Sequence, residues 1–261
     1  MAHSESAQLL VEGRRRKILE LVEQFGQVTI QEVVKRFAVS AVTARGDLDA
    51  LSANGVVLRS HGGAVRDEAI QHYPLKLKAT LHRAEKSRIG QAAAQLVQPN
   101  ETIILDSGTT TAEIAKALRR ARLKISVITS ALNIANELAD AGDISLFMLG
   151  GLLRTVSYSF VGPQAEAMLR ELHADRLFLA VDGLHPDAGP FTADVLEAQL
   201  NGLMMSVSKE VTLVADSTKL GRRSLFRIGP IENVHRVITD THAPEEFTDA
   251  LRKKGVEVIM V

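Results

Sequence analysis

The chain has 261 residues, 46% of them hydrophobic and 24% charged, with a formal net charge of zero and no cysteine. Its length and apolar share suffice for roughly two domains with sizeable cores, and the missing cysteine excludes disulfides, thiol nucleophiles and thiolate metal sites. The polar first ten residues lack the apolar segment of a secretory signal, and no apolar run approaches the roughly 18 residues of a membrane span, so a soluble cytoplasmic protein with no membrane partner is expected. Residues 1–66 carry nine Lys/Arg against seven Asp/Glu, and the remainder 22 against 24. This asymmetry permits nucleic-acid binding by the N-terminal part without requiring it.

Residues 13–25 read as a first helix with Ile18, Leu19, Leu21 and Val22 on one face. Arg14, Arg15, Arg16 and Lys17 would then occupy its first turn, where cations oppose the helix dipole; they form either a solvated face or a clamp for phosphates. Gly26-Gln27 break the helix. Thr29 with Glu32 three residues later is a capping-box signature for a second helix over 30–37. After the short turn Ala38-Val39, Ser40 caps a third helix to about Ala53, with Val42, Leu48 and Leu51 expected inside and Asn54-Gly55 as its stop. Two apolar runs, 56–59 and 64–66, flank Ser60-His61-Gly62-Gly63 and read as a β-hairpin. Helix-turn-helix plus hairpin is a winged helix. In such a unit the third helix enters the major groove, so Ser40, Ala41, Thr43 and Arg45 are the expected base-reaching residues, with Arg59, His61 and Gly62 on the wing. The competing reading, a three-helix unit that only contacts protein, leaves the Arg, His and Gly-Gly of the wing without a role.

Residues 67–82 show no period and read as a linker between an N-terminal domain (1–66) and a second domain (83–261). From there helix and strand patterns alternate. Helix 83–97 precedes strand 103–105 and helix 112–121; strand 125–128 precedes helix 132–141 and strand 146–149. Helix 163–172, strand 177–181, helix 195–207, strands 211–215 and 236–239, helix 244–254 and strand 256–260 complete the series. Such alternation predicts an α/β class fold, an open and mostly parallel sheet with helices on both faces.

The stretch Glu101-Thr-Ile-Ile-Leu-Asp-Ser-Gly-Thr-Thr-Thr111 organises that second half. A buried strand, a small-residue turn with a glycine, then a helix start can cradle an anion on backbone N–H groups. The same residues also suit an ordinary Ser/Thr-capped turn. In open α/β sheets ligands bind beyond the carboxyl ends of the strands. Those ends carry Asp106, Ser107, Gly108, Thr109 and Thr110, then Thr129 and Ser130, Gly150 and Gly151, Asp182 and Gly183, and Asp216-Ser-Thr-Lys219. Together they suggest one polar cup for a small phosphorylated polyol, with phosphate on the 107–110 backbone, hydroxyls on the carboxylates and Lys219 as the nearby cation. Arg154, just past Gly150-Gly151, is a second candidate for neutralising such a ligand. The rival is an isomerase-type enzyme with an accessory winged helix, in which Asp106, Asp182, Asp216 and Lys219 move protons on a sugar phosphate. The binding reading requires no catalytic residue, no metal and no cofactor, and His82, His173, His235 and His242 lie apart without metal spacing. Met204-Met205 reads as core or subunit interface rather than a cofactor box.

Val39-Ser-Ala-Val-Thr-Ala-Arg-Gly-Asp-Leu-Asp-Ala-Leu-Ser-Ala-Asn-Gly55, followed by Arg59-Ser-His-Gly-Gly-Ala64, resembles the DNA-binding signature of the DeoR family of bacterial transcriptional repressors. The strand ends Asp106 to Thr111, Val127-Ile-Thr-Ser130, Leu149-Gly-Gly-Leu-Leu-Arg154, Val181-Asp-Gly183, Ala215-Asp-Ser-Thr-Lys219 and Val237-Ile-Thr-Asp240 match its sensor half in order and spacing. The resemblance implies a sensor domain similar in fold to ribose-5-phosphate isomerase and CoA transferases. It also implies double-stranded operator DNA as a partner, a homodimer or homotetramer, and a sugar phosphate, amino-sugar phosphates included, as effector. It places phosphate at Asp106 to Thr110 and the sugar against Asp182, Glu197 and Lys219. Three positions depart from the family pattern: Ala44 for isoleucine, Gly46 for a second arginine and Ser130 for asparagine.

Overall fold

The structure, a computed structural model, describes residues 2–53, 56–65 and 75–261, with backbone alone at 2–9, 23, 24, 76 and 77. The expected helix stop at Asn54-Gly55, Arg66, and residues 67–74 of the linker lie outside the described residues. The chain divides into two compact units, Met1–Tyr73 and Pro74–Val261.

The first unit contains α1 (Ala2–Phe25), β1 (Gln27–Thr29), α2 (Ile30–Phe37), α3 (Ala41–Ala53), β2 (Leu58–Ser60) and β3 (Gly63–Val65). Ile18, Leu19 and Val22 of α1, Val33 of α2 and Ala44, Leu48 and Leu51 of α3 form its core, joined by Val28, Val56, Val57 and Ala64. The capping box at α2 forms in both directions: the Thr29 hydroxyl accepts the Glu32 N–H (3.1 Å), and the Glu32 carboxylate accepts the Thr29 N–H (2.7 Å). Ala38 makes the α2–α3 turn in the left-handed region, φ 51°. The wing is three-stranded, ordered β1-β3-β2. β1 falls where the sequence shows only a helix break and a cap, because three residues with one buried side chain, Val28, carry no readable alternation. Gly63 lets β3 lie against β1: a Cβ there would stand 2.2 Å from the Val28 carbonyl oxygen.

Two sequence expectations are corrected here. The first helix begins at Ala2, so Arg14 to Lys17 sit mid-helix, not in the first turn, and the dipole argument does not apply to them. Arg14 and Arg15 donate to the buried Asp47 of α3 at 2.5 and 2.9 Å and so clamp α1 to α3. Val42 is not an inner residue but 76% exposed. The buried stripe of α3 runs Ala44, Asp47, Leu48, Leu51, and Val42, two residues before Ala44, lies roughly 200° round the helix from it.

The second unit runs α4 (Leu75–Lys78), α5 (Arg83–Gln95), β4 (Thr102–Leu105), α6 (Thr109–Ala121), β5 (Ile125–Thr129), α7 (Leu132–Leu138) and β6 (Ile144–Met148). It continues through β7 (Leu152–Arg154), β8 (Ser159–Val161), α8 (Pro163–Arg170), β9 (Ala174–Ala180), β10 (Gly183–His185), β11 (Gly189–Thr192) and α9 (Val195–Ser206). It ends with β12 (Ser208–Val214), β13 (Phe226–Arg227), β14 (Arg236–Thr239), α10 (Glu245–Lys253) and β15 (Glu257–Met260). Leu75 donates its N–H to the Val156 carbonyl (3.0 Å) and Leu81 is buried, so residues read as linker from Leu75 onward belong to this unit.

Its main sheet is fully parallel in the order β15-β14-β12-β9-β4-β5-β6. Neighbouring residues of one strand feed opposite cores. Ile103 and Leu105 of β4, with Phe178 and Val214, pack against α5, α6 and α7. Ile104, Leu177, Leu179 and Leu213 pack against α8, α9 and α10. Met204 and Met205 are core side chains on this second face. The main strands and helices stand within a few residues of their expected bounds. The β7–β8 hairpin and the antiparallel β10-β11-β13 sheet were not expected, being strands of two to four residues in glycine-bearing loops. Starting at β4, the chain builds outward through β5 and β6, then returns to the other side of β4 for β9, β12, β14 and β15. The strand order therefore reverses between β4 and β9. Among the described residues no helix is long and apolar enough to cross a membrane.

Asp47→Ala is expected to destabilise the first unit by roughly 2 kcal/mol, below the cost of breaking a fully buried pair because Arg14 and Arg15 retain 16% and 36% exposure. Urea unfolding followed by hydrogen exchange in α1 and α3 measures it, with the second unit's exchange unchanged.

Candidate functional site

The reversal of strand order places the carboxyl ends of β4 and β9 side by side, where ligands bind in sheets of this type. Asp106 ties these ends together. Its N–H donates to the Phe178 carbonyl (3.3 Å), and its carboxylate accepts the Ala180 N–H (3.0 Å). It is only 2% exposed. Burial pushes its carboxyl up to about 8, against the Ala180 N–H that favours the charged form, and the carboxylates of Glu197 and Asp182 push in the same direction as burial. Asp106 thus joins strands, with its carboxyl oxygen on the β9 backbone. Gly108 follows as the N-cap of α6; a Cβ there would stand 2.5 Å from the Ala180 methyl and 2.9 Å from the Thr111 hydroxyl. That close approach to β9 requires glycine. An N-cap without a side chain leaves the first turn of α6 without a side-chain cap, so the ordinary Ser/Thr-capped turn is not the one formed. Thr111, inside the helix, donates its hydroxyl to the Asp106 and Gly108 carbonyls (3.0 and 3.1 Å). Ser107 and Thr109 are partly exposed, whereas Thr110 is buried.

The other expected residues divide into two sets. Asp182, Glu197 and Arg154 come together. Arg154 donates to Glu197 (2.7 Å) and Ser157 (2.8 Å) and pairs with Asp194 (3.2 Å). Glu197 also accepts from Ser159 (2.9 Å), and the Thr192 hydroxyl lies 3.4 Å from both Glu197 and Asp182. Lys219 ends the short turn Ser217–Lys219, opened by Asp216, whose carboxylate accepts the Thr218 N–H (3.2 Å) and its hydroxyl. In the second set, Thr129 is fully buried and occupied: its hydroxyl donates to the Leu105 carbonyl (2.7 Å) and accepts the Ala131 N–H (3.1 Å). Ser130 is buried and its carbonyl accepts the Phe160 N–H. Gly150 and Gly151 form the root of the β7–β8 hairpin, near Met168 and Val161. Gly183 opens β10 against Arg222.

Three residues of this region were not foreseen. Asp194 caps α9 by accepting the Leu196 and Glu197 N–H groups (2.9 and 3.1 Å), a signature readable in the sequence as an aspartate three residues before a glutamate. Lys78 pairs with Asp182 at 2.7 Å, but its surroundings in the sequence have no period to mark it. Lys86 is buried on the Ile89-Ala93 face of α5, and a lysine on an apolar stripe was the available signal. Its ammonium donates to the Lys78 and Leu81 carbonyls (2.6 and 2.8 Å). Burial pushes Lys86 down to about 8, although Asp216 opposes the change. Burial would raise Asp216, but Lys219 and Lys86 outweigh it and hold the carboxyl below its ordinary range. Burial likewise works against the Lys78 ammonium, and the Asp182 carboxylate overcomes it and holds Lys78 above the usual lysine range.

In the first unit Ala41, Val42, Thr43, Arg45 and Gly46 form the exposed side of α3. Ser40 caps the helix, accepting the Thr43 N–H (3.1 Å), and the two hydroxyls lie 2.9 Å apart. Arg59 pairs with Asp49 (2.8 Å) and donates to the Gly63 carbonyl, which staples the wing to α3. His61 and Gly62 are exposed at the wing turn, Gly62 at φ 90°. Ala44 is fully buried, and a Cβ on Gly46 would meet nothing within 4 Å.

The raised Asp106 has a consequence for pH. Its folded pKa of about 8 lies above the ordinary 3.8 of an aspartate, so the folded state binds the extra proton between the two values and stability falls as pH rises through that window. Asp216 and Lys86 are shifted downward and act outside it, below about 4 and above about 8. Asp106→Asn keeps an acceptor for the Ala180 N–H and is expected to flatten the decline in melting temperature of the second unit between pH 5 and 8. An unchanged slope would assign the decline elsewhere.

Comparison with known proteins agrees with this division. Residues 14–69 match the model of a DeoR-like helix-turn-helix domain, and residues 81–241 that of a DeoR C terminal sensor domain. The chain is 38% identical to a putative aga operon transcriptional repressor of Escherichia coli O157:H7, over 95% of this chain and 93% of that protein. It is 34% identical to the transcriptional repressor AccR of Agrobacterium fabrum (94% and 96%) and 29% identical to the glycerol-3-phosphate regulon repressor of Escherichia coli K12 (94% and 97%). Among solved structures, ribose 5-phosphate isomerase A from Neisseria gonorrhoeae aligns over 53% of each chain, with 18% identity and a TM-score of 0.40. Both matching domains are parts of regulators, not of enzymes, and with a helix-turn-helix unit ahead of a sensor unit the chain belongs to the DeoR family of transcriptional regulators.

Proposed function

We propose that this regulator is a cytoplasmic repressor of a sugar-catabolism operon whose grip on operator DNA is set by a sugar phosphate in the second unit. The carrying observation is the convergence at the one reversal of strand order. There the α6 N-terminus, without a side-chain cap, adjoins the ends of β4 and β9, and the Asp182–Thr192–Glu197–Arg154 cluster follows β9. Backbone N–H groups and the dipole of a 13-residue helix suit a phosphate. The carboxylates beyond it suit hydroxyl or amine groups. Ser107, Gly108 and Thr109 take the phosphate in this reading, with Lys219 and Arg154 as the cations and Asp182 and Glu197 on the sugar. Asp106, Thr110, Thr129 and Ser130 hold the loops. The glycerol-3-phosphate regulon repressor among the relatives supports a phosphorylated effector.

On the DNA side, Arg45 and Thr43 read base edges, Val42 packs on a thymine methyl and Ala41 lies close to the bases. Arg59, His61 and Gly62 follow the backbone from the wing, and Ser40 sets the helix. Two-fold operators need one such helix per half-site, so a homodimer or homotetramer is the assembly proposed.

Thermal-shift titration of the full chain with hexose phosphates, amino-sugar phosphates, glycerol phosphate and inorganic phosphate tests the effector. At least one phosphorylated sugar is expected to raise the melting temperature where its unphosphorylated parent does not. A flat response across the panel would remove the reading. Thr109→Val is expected to abolish that response while leaving DNA affinity without effector unchanged. Arg45→Ala is expected to weaken binding to a duplex selected from a random pool by about 1–3 kcal/mol with no change in melting temperature.

A further inference from the structure

Asp182 already holds an ammonium group, and it belongs to the protein. We infer that Lys78 is a built-in occupant of the Asp182 subsite, and that an effector gains the subsite by displacing it. The inference rests on the proposal of a phosphorylated effector at the β4–β9 junction and deepens it by naming what the rest of that molecule must carry.

Lys78 does not come from the sheet. It ends α4, a single helical turn at the start of the second unit. Its Nζ lies 2.7 Å from Asp182 Oδ1, while Asp182 Oδ2 lies 3.4 Å from the Thr192 hydroxyl. The segment is also gripped by its backbone. Lys86, buried in α5, donates to the carbonyl of Lys78 itself and to that of Leu81. Lys86 is in turn under the charges of Asp216 and Lys219. Two groups of the candidate cup therefore bear on one turn of chain, Asp182 through the Lys78 side chain and the Asp216–Lys219 turn through Lys86. The two grips differ in strength of enclosure. Lys86 is 5% exposed, whereas the Lys78 and Asp182 side chains retain 26% and 25%. The part of the Asp182 side chain that stays exposed gives a competing donor access to the carboxylate without dismantling the core.

A group that replaces an ammonium on Asp182 must donate hydrogen bonds. The class of effector is thus a phosphate ester whose distal end bears an amine or adjacent hydroxyls. A second anionic group at that end is excluded by Asp182 and Glu197. Once displaced, Lys78 no longer fixes α4, and α4 follows residues 66–74 in the chain, the stretch that leads from the DNA-binding unit. Binding energy spent on releasing Lys78 is what couples effector to DNA; a ligand changes an equilibrium only through contacts that differ between its two states.

The test uses the full chain, a selected DNA duplex, and a panel of glucose 6-phosphate, glucosamine 6-phosphate, N-acetylglucosamine 6-phosphate, glycerol 3-phosphate and inorganic phosphate. Lys78→Met removes the competing cation at nearly constant length. It is expected to tighten the best-binding phosphate ester by about fivefold or more, to leave inorganic phosphate affinity unaltered, and to abolish most of the change in DNA affinity that the ester causes in the parent. Lys78→Arg, which keeps the cation, is expected to behave as the parent. Equal ester affinity in Lys78→Met, or weaker affinity as for a lost ligand contact, overturns the inference. If no panel member binds the parent chain, the effector reading itself fails. The latch is then judged without effector: Lys78→Met is expected to change DNA affinity by about fivefold, where Lys116→Met, cutting an unrelated surface pair with Glu113, does not. No difference between these two variants also overturns it.

Discussion

The second unit depends on the contact between the ends of β4 and β9. Every main strand before β9 lies on one side of β4, and every later one lies on the other. The two strands meet at their carboxyl ends, where the Asp106 carboxyl and Gly108 both face Ala180. Asp106 bridges to the Ala180 N–H, and Gly108 admits Ala180 by having no side chain. Thr111 donates to the Asp106 and Gly108 carbonyls and Thr129 to the Leu105 carbonyl at this junction. The start of α6 is consequently presented from a rigid platform. Buried threonines, Thr111 and Thr129, hold the loop.

Around that platform the charges are arranged as a connected set. Arg154 spans Glu197, Asp194 and Ser157; Thr192 links Glu197 to Asp182; Asp182 holds Lys78. Partly buried carboxylates are costly unless paired, and Asp182, Asp194 and Glu197 are paired from within the protein. Asp182 stands just past β9 and Asp194 and Glu197 at the start of α9, while Arg154 comes from the β7–β8 hairpin and Lys78 from α4, so the set joins elements far apart in the chain.

The first unit joins its apolar core to buried and half-buried ion pairs. The buried Asp47 with Arg14 and Arg15 adds ion pairs to the apolar contact between α1 and α3. Arg59 repeats the device between α3 and the wing. Arg14 and Arg15, which a basic N-terminus suggests for DNA, are thereby committed to the fold, and the outward face of α3 begins with the exposed Ala41, Val42, Thr43, Arg45 and Gly46. Gly46, open on all sides, departs from the family pattern at no structural cost to its neighbours, whereas Ala44 is packed.

How far the sequence alone reaches depends on the range of the interaction. The capping box at Thr29, the helix-turn-helix, the order of main strands and helices and the glycine of the β4–α6 turn are set by residues within a few positions of one another, and each was legible. So was the family, through motifs in order. Strands β1, β7, β8, β10, β11 and β13 were not, since segments of two to four residues carry too little alternation to separate from loop. Val42 was misplaced because one apolar residue fits either side of a short helix, and only the packing of α1 against Ala44, Asp47 and Leu48 decides which side is inside. The Arg14 and Arg15 clamp spans more than thirty residues, Arg154 to Glu197 more than forty and Lys78 to Asp182 more than a hundred. Local propensity determined the parts and their order; which charges meet was decided by the tertiary structure, because burial and Coulomb pairing act between residues that only the folded chain brings within a few ångströms.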